Sequence, residues 1–259
     1  MLTRAQIQRL AQRQRIGVHV QERDYLQHLL LFLLYSRSQS LVFKGGTALR
    51  IVYRGNRYSE DLDFNGPVDV EGVKDLWNAT LVGLRDFGLV AEMRNAWQSE
   101  VGYSFDVSYQ GPLYDGRDRT KGKVRVDISL RQENVITQRV LVSSEYDDIR
   151  PFVVTALSAE HLLAEKVRAL LMRGKSRDLY DLWLLTTQGV RLDAGLVHEK
   201  LRLYDLALSS AVLDEALKKA AADWERDLRP LLPQFIRWEE VSPTLEGLRS
   251  ALQSQVMKQ

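Results

Sequence analysis

The sequence predicts an α+β fold, on three observations. Between residues 89 and 142, four short segments rich in Val, Ile, Tyr and Phe show partial alternation, the mark of half-buried strands. From about residue 156 onward, apolar residues recur at helical spacing instead. The 259 residues are 45% hydrophobic and 27% charged, the mix of a globular protein, which excludes collagen-like, low-complexity and wholly disordered chains.

The elements follow in order. Residues 4–15 are polar and rich in Arg and Gln, a short surface helix. Tyr25, Leu26, Leu29, Leu30, Phe32 and Leu33 set the apolar positions of a helix over residues 22–37. The apolar run Leu41–Phe43 ends at Lys44-Gly45-Gly46-Thr47, and Thr47 is placed to cap a helix through Ala48, Leu49, Ile51 and Val52. Tyr58 to Phe64 is closed by Asn65-Gly66-Pro67, a turn signal. Residues 70–87 are helical in pattern. Strands are expected at Leu89–Trp97, Val101–Tyr109, Val124–Leu130 and Val135–Val142, with a polar loop over Gly111–Gly122. Helices are expected at Ser158–Met172, Asp178–Thr187, Asp193–Leu203, Ser210–Trp224 and Ser242–Val256. The expected division is residues 1–155, an α+β core with N-terminal helices, and residues 156–259, a helical part, with the active site in the cleft between them.

Charge and composition narrow the chemistry. Lys and Arg total 36 against 34 Asp and Glu, a net charge of +2, so basic residues matter only where they cluster. Five cations fall in the nine residues from Arg117 to Arg125, the best local candidate for an RNA backbone contact and otherwise a solvated loop. With no cysteine, and with His19, His28, His161 and His198 far apart, a metal site would be a hard ion on carboxylates. No apolar stretch is long enough to span a bilayer and the N-terminus lacks a signal-type apolar core; the expectation is a cytoplasmic protein with no membrane association.

In a strand, Asp61 and Asp63 share one face while Leu62 and Phe64 share the other. Two carboxylates side by side repel unless a cation lies between them, and a divalent metal is the natural partner; a solvated strand face is the plainer reading. The same residues open like a calcium loop, Asp61-x-Asp63-x-Asn65-Gly66, but the twelfth position is Gly72 where a bidentate Glu is required. Lys44-Gly45-Gly46-Thr47 is not a P-loop, since no Lys follows Gly46, yet glycines ahead of a helix let backbone N–H groups approach a phosphate. Asp127 lies with Arg125 and Ser129 on one face of its strand; it is a third metal ligand or an ordinary solvent-facing acid, and Asp106 fits the pattern almost as well. Lys166 falls on the apolar stripe of Leu162, Leu163, Val167, Leu170 and Leu171, where lysine is costly unless paired, bound to an anion or snorkelling to water. Asp178 and Asp181 lie beside the stripe of the next helix. Arg50 and Arg57 are phosphate ligands or surface arginines, and Ser59 is read as a turn residue.

Phe43-Lys44-Gly45-Gly46-Thr47-Ala48-Leu49-Arg50 followed by Arg57-Tyr58-Ser59-Glu60-Asp61-Leu62-Asp63-Phe64 resembles the signature of the AbiEii-type nucleotidyltransferases, which include the MenT-type toxins. Ala164-Glu165-Lys166 and Arg177-Asp178-Leu179-Tyr180-Asp181-Leu182 look like the family's later motifs, so the resemblance runs over residues 40–190. It implies a core like that of DNA polymerase β, with a small mixed sheet, followed by a helical part. It implies an enzyme that transfers a nucleoside monophosphate from a nucleoside triphosphate, with release of pyrophosphate, to the 3′ end of a tRNA, as the toxin of a toxin–antitoxin pair. Asp61, Asp63 and Asp127 would then hold Mg²⁺ or Mn²⁺, and Lys44, Gly45, Gly46, Thr47, Arg57, Ser59 and Lys166 would bind the nucleotide. Asp61, Asp63, Lys166, Asp178 and Asp181 would be catalytic, with an antitoxin protein as partner. Two alternatives stand: a nucleotidyltransferase acting on a small molecule, and a catalytically weak RNA- or protein-binding module of the same fold.

Overall fold

The structure, a computed structural model, describes residues 1–256, which fall into two compact units, Met1–Leu157 and the residues from Ser158 onward. The first unit contains, in chain order, α1 (Arg4–Gln14), α2 (Val18–Tyr35), β1 (Val42–Lys44), α3 (Gly45–Ile51), β2 (Asp61–Asn65), α4 (Val70–Gly83), β3 (Val90–Ser99), β4 (Gly102–Gln110), β5 (Gly122–Ser129), β6 (Thr137–Val142) and β7 (Phe152–Leu157). Its seven strands form one mixed sheet in the order β3-β4-β5-β2-β1-β7-β6, in which β2 runs parallel to β5 and β1 parallel to β7.

One face of this sheet is apolar. Phe43 stacks near Phe64 at 5.5 Å between ring centroids, Phe64 meets Trp77 of α4 at 5.9 Å, and Trp77 meets Phe105 of β4 edge-on at 5.3 Å. The strands supply these rings from alternate positions, so Lys44, Asp61, Asp63, Ser104 and Asp106 fall on the opposite, polar face. Helix α2 buries almost its whole surface, polar residues included, against the sheet and α4.

Strand β7 and the short helix over Trp224–Leu228 are elements the sequence pattern does not reveal. Phe152 to Leu157 runs straight into Ser158, the N-cap of the next helix, with no turn residue to separate the two periods. The helix after β1 also begins two residues before the expected cap: Thr47 lies inside its first turn and Lys44 is the residue ahead of it.

The second unit is helical: α5 (Ala159–Arg173), α6 (Ser176–Thr187), α7 (Ala194–Arg202), α8 (Ser210–Ala222), α9 (Trp224–Leu228) and α10 (Trp238–Val256). Ser158, Asp193 and Ser209 cap α5, α7 and α8 through their side chains. Among the described residues no helix is long and apolar enough to cross a membrane.

Candidate active site

The residues singled out in the first unit converge on the polar face of the sheet. Strand β2 sets Asp61 and Asp63 half-exposed, while Leu62 and Phe64 are fully buried behind them. Register places Lys44 of β1 directly opposite Asp63 on one side and Asp127 of β5 opposite it on the other. The turn from β1 into α3 lies against this row. Gly45 has φ +75°, and the Asp63 carboxylate occupies the place a side chain at 45 would take. A Cβ on Gly46 would stand 2.5 Å from Arg57 Nη2 and 2.7 Å from Ser59 Oγ, so the second glycine admits those two side chains. Thr47 is buried, and its hydroxyl donates to the Asp61 carbonyl, tying α3 to β2. Arg57 is only 3% exposed and donates from Nη1 to the Tyr58 carbonyl at 3.0 Å. Two segments, Lys44–Thr47 and Arg57–Asp63, thus form one cluster.

Beyond Asp63 the polar face continues. Asp127 Oδ1 lies 3.4 Å from Arg125 Nε. Burial raises the Asp127 pKa above the usual carboxylate range, Arg125 offsets only part of that, and the charge of Asp106 adds to it. Asp106, one strand further out, behaves oppositely. Burial again pushes it up, but the amide of Asn95 (2.8 Å) and the charges of Lys123 and Arg125 hold its pKa below the usual value. Arg125 also donates to Ser104 Oγ at 2.5 Å. Among the described residues no three His, Asp or Glu side chains are grouped to hold a metal. The face offers the pair Asp61 and Asp63, with Asp127 engaged by Arg125. A pair of carboxylates suits magnesium, which takes one or two of them and completes its shell with phosphate and water.

Arg50 does not belong to this cluster. Its guanidinium is bound to the buried Asp24 (Nε–Oδ1 2.5 Å), reaches Glu145 (3.2 Å), and lies 3.6 Å from the Tyr58 ring centroid. Tyr146 also donates to Asp24 at 2.6 Å. Burial alone would raise the Asp24 pKa; Arg50, His28 and Tyr146 together hold it below the usual value. No spacing rule foretells this network, because its members come from α2, α3 and the segment ahead of β7.

In the loop over residues 111–122, Asp115 is bound by Arg117 and Thr120. Lys121 lies 2.9 Å from Asp118.

In the second unit, Lys166 of α5 is 7% exposed and its Nζ stands 2.7 Å from Asp181 Oδ2 and 3.3 Å from Asp178 Oδ1, both on α6. Arg173 closes the group, donating to Asp178 from Nε at 2.6 Å and from Nη2 at 2.7 Å. Burial pushes the Asp178 pKa up, but Lys166 and Arg173 win and hold it at about 2. Its neighbour Glu165 is paired with Lys200 of α7 at 3.1 Å, also buried. Lysine on the apolar stripe is thus explained by pairing. The Glu165–Lys200 pair went unseen in the sequence, since nothing in it marks residues 35 apart as partners.

The chain and its fold are similar to known proteins. A family model described as the nucleotidyl transferase AbiEii toxin of type IV toxin–antitoxin systems matches residues 30–248. The fold is similar to MenT4, a nucleotidyltransferase toxin from Mycobacterium tuberculosis H37Rv, with a TM-score of 0.65 and 21% identity over 99% of this chain and 89% of that one. It is also similar to JHP933 from Helicobacter pylori, with a TM-score of 0.60 and 18% identity over 94% of this chain and 95% of that one. No curated protein matches at a significant level.

Proposed function

Because this chain belongs to the AbiEii family of nucleotidyltransferase toxins of type IV toxin–antitoxin systems, we propose that it transfers a nucleoside monophosphate from a nucleoside triphosphate to the 3′ end of a tRNA. The observation that carries the reading is the clustering of the Gly45-Gly46 turn, Arg57, Ser59 and the Asp61/Asp63 pair on one polar sheet face. A phosphate chain calls for a positive group and an acid pair able to hold a metal, and Arg57 with Asp61 and Asp63 supports that reading.

In this reading Asp61 and Asp63 hold Mg²⁺ or Mn²⁺, which neutralises phosphate oxygens when bound. Gly45 and Gly46 let Asp63, Arg57 and Ser59 close against the turn, and these side chains with Lys44 border the triphosphate. Lys166, Asp178 and Asp181, held together by their ion pairs within the second unit, are the further candidate catalytic residues that the family motifs mark. The acceptor hydroxyl bonds to the α-phosphorus as the bond to the bridging oxygen breaks, and pyrophosphate leaves. Asp127 joins Asp61 and Asp63 as a ligand only if Arg125 releases it. Membership of a toxin–antitoxin system also implies an antitoxin as partner.

The test is incubation with each α-labelled nucleoside triphosphate, Mg²⁺ and total tRNA, beside the Asp63→Asn variant. Label in the RNA band for the unaltered protein and none for the variant is the expected result. Label carried by a small molecule and absent from RNA moves the acceptor to that class. No transfer to any acceptor favours the binding-module reading.

A further inference from the structure

Apart from its charged groups, the polar face of the sheet presents one large ring. Trp97 of the edge strand β3 is 60% exposed. It pairs with Ser104 of β4, Ser104 with Asp127 of β5, and Asp127 with Asp63 of β2. Directly paired residues project from the same face, so Trp97 and Asp63 stand in one row, three strand spacings or about 14 Å apart.

A bulge puts the ring there. The register shifts between Arg94 and Trp97, one extra residue being accommodated at Asn95, which has φ +51°. Without that residue strict alternation would set Trp97 opposite Tyr103, on the apolar face beneath α4. The bulge turns it to the carboxylate side instead, a known use of bulges beside functional sites. The Asn95 amide donates to Asp106 at 2.8 Å, which pins the distortion to β4.

Exposed cations lie nearby. Arg94 is half-exposed and paired with the equally exposed Glu92, and Lys123 is 65% exposed, 3.7 Å from the Asp106 carboxylate. A surface pair such as Arg94–Glu92 is worth about 0–1 kcal/mol, so Arg94 can pass to a phosphate chain. A ring among exposed cations is how proteins hold single strands, by stacking bases while the backbone is drawn to positive charge. A protein contact would instead place such a ring within an apolar, desolvated patch, whereas its row neighbours are Ser104 and Asp127.

We propose that Trp97 is a stacking platform for a base of a single-stranded nucleic-acid acceptor, behind the terminal nucleotide presented to Asp61 and Asp63. The proposal rests on the nucleotidyl-transfer reading above. Trp97 is a positioning residue: it holds the strand and lies too far along the row to touch the reacting phosphate.

The experiment uses the full chain with a labelled short single-stranded oligoadenylate, in the absence of nucleoside triphosphate, and compares Trp97→Ala with Trp97→Phe. Trp97→Ala should weaken binding about 5- to 150-fold, and Trp97→Phe, which still stacks, should retain most of it. In the transfer assay with total tRNA, Trp97→Ala should raise the acceptor KM and leave kcat nearly unchanged. Unaltered oligoadenylate affinity in Trp97→Ala overturns the proposal. Oligoadenylate binding that depends on Trp97 in a protein that transfers nothing would overturn the transfer reading and leave the stacking site standing. Transfer to RNA that Trp97→Ala does not disturb overturns the stacking site alone.

Discussion

The carboxylate of Asp63 fills the space beside the Gly45 Cα that any side chain at position 45 would need. The tightness is mutual: the glycine turn fixes where the carboxylate lies, and the carboxylate requires a glycine. Residues 18 apart in sequence are thereby set as one unit, and a change at Gly45 should act on Asp63.

Gly45→Ala is therefore expected to lose nucleotidyl transfer as well as stability. A left-handed conformation held by alanine costs about 1–3 kcal/mol, and displacement of Asp63 is added to it. Gly116→Ala is the control: it also has positive φ, +94°, but nothing within 4 Å of its Cβ. That variant should show the backbone cost alone and keep full transfer. Thermal melts and the labelled-nucleotide assay on both variants check this; equal activity loss would mean the Gly45–Asp63 contact is unimportant.

Asp63→Asn should abolish transfer while hardly changing the melting temperature without metal or nucleotide. The side chain keeps its shape, Leu62 and Phe64 behind it are undisturbed, and half-exposed charge terms are worth about 0–1 kcal/mol. Added Mg²⁺ and nucleotide should raise the melting point of the unaltered protein and much less that of the variant, because only binding to the folded state stabilises. A large drop in the metal-free melt would make Asp63 a structural residue.

Lys166→Ala should destabilise the second unit, by about 3–5 kcal/mol, since it strips a cation from two buried carboxylates. Periodicity alone gives the opposite sign, a gain from removing a charge on an apolar stripe; the partners on α6 reverse it. Combining it with Asp181→Leu should recover part of the loss by removing one of the stranded acids. Denaturant midpoints of the single and double variants decide between the two signs.

Asp178 should govern part of the acid stability. Its folded pKa lies at about 2, below the ordinary 3.8. A lowered carboxylate pKa contributes stability fully present above the unfolded value and lost as the pH falls through the folded one. The contribution, about 2 kcal/mol, should fade between about pH 4 and pH 2. Asp178→Asn should be less stable at neutral pH and show a flatter stability profile across that window. An unchanged acid limb would remove Asp178 from the account.

Particular residues show why some of this was readable in the chain and some was not. Asp61 and Asp63 were legible because strand alternation is local: one apolar neighbour on each side is enough to say which way they point. Gly45 and Gly46 were legible as a turn, though not that each makes room for a different side chain, Asp63 for the first and Arg57 with Ser59 for the second. Thr47 was expected at a phosphate, and the fold buries its hydroxyl against the Asp61 carbonyl. Arg50, a phosphate ligand or a surface residue by sequence, is held by Asp24 instead.

The sequence by itself determined the periodic and the local: the α+β class, six of the seven strands, the helical second unit and the motif order that marks the family. These depend on contacts within a few residues, where the periods of strand and helix leave their imprint. Tertiary structure alone decided what depends on partners distant in the chain. It placed β7 between β1 and β6, brought Asp127 into register with Asp63, matched Lys166 to Asp178 and Asp181, and turned Trp97 onto the carboxylate face through a bulge whose register only its neighbour strand defines. A buried charge finds its counter-charge wherever packing brings one, and a strand's facing is fixed by the strand beside it; neither is written in local spacing.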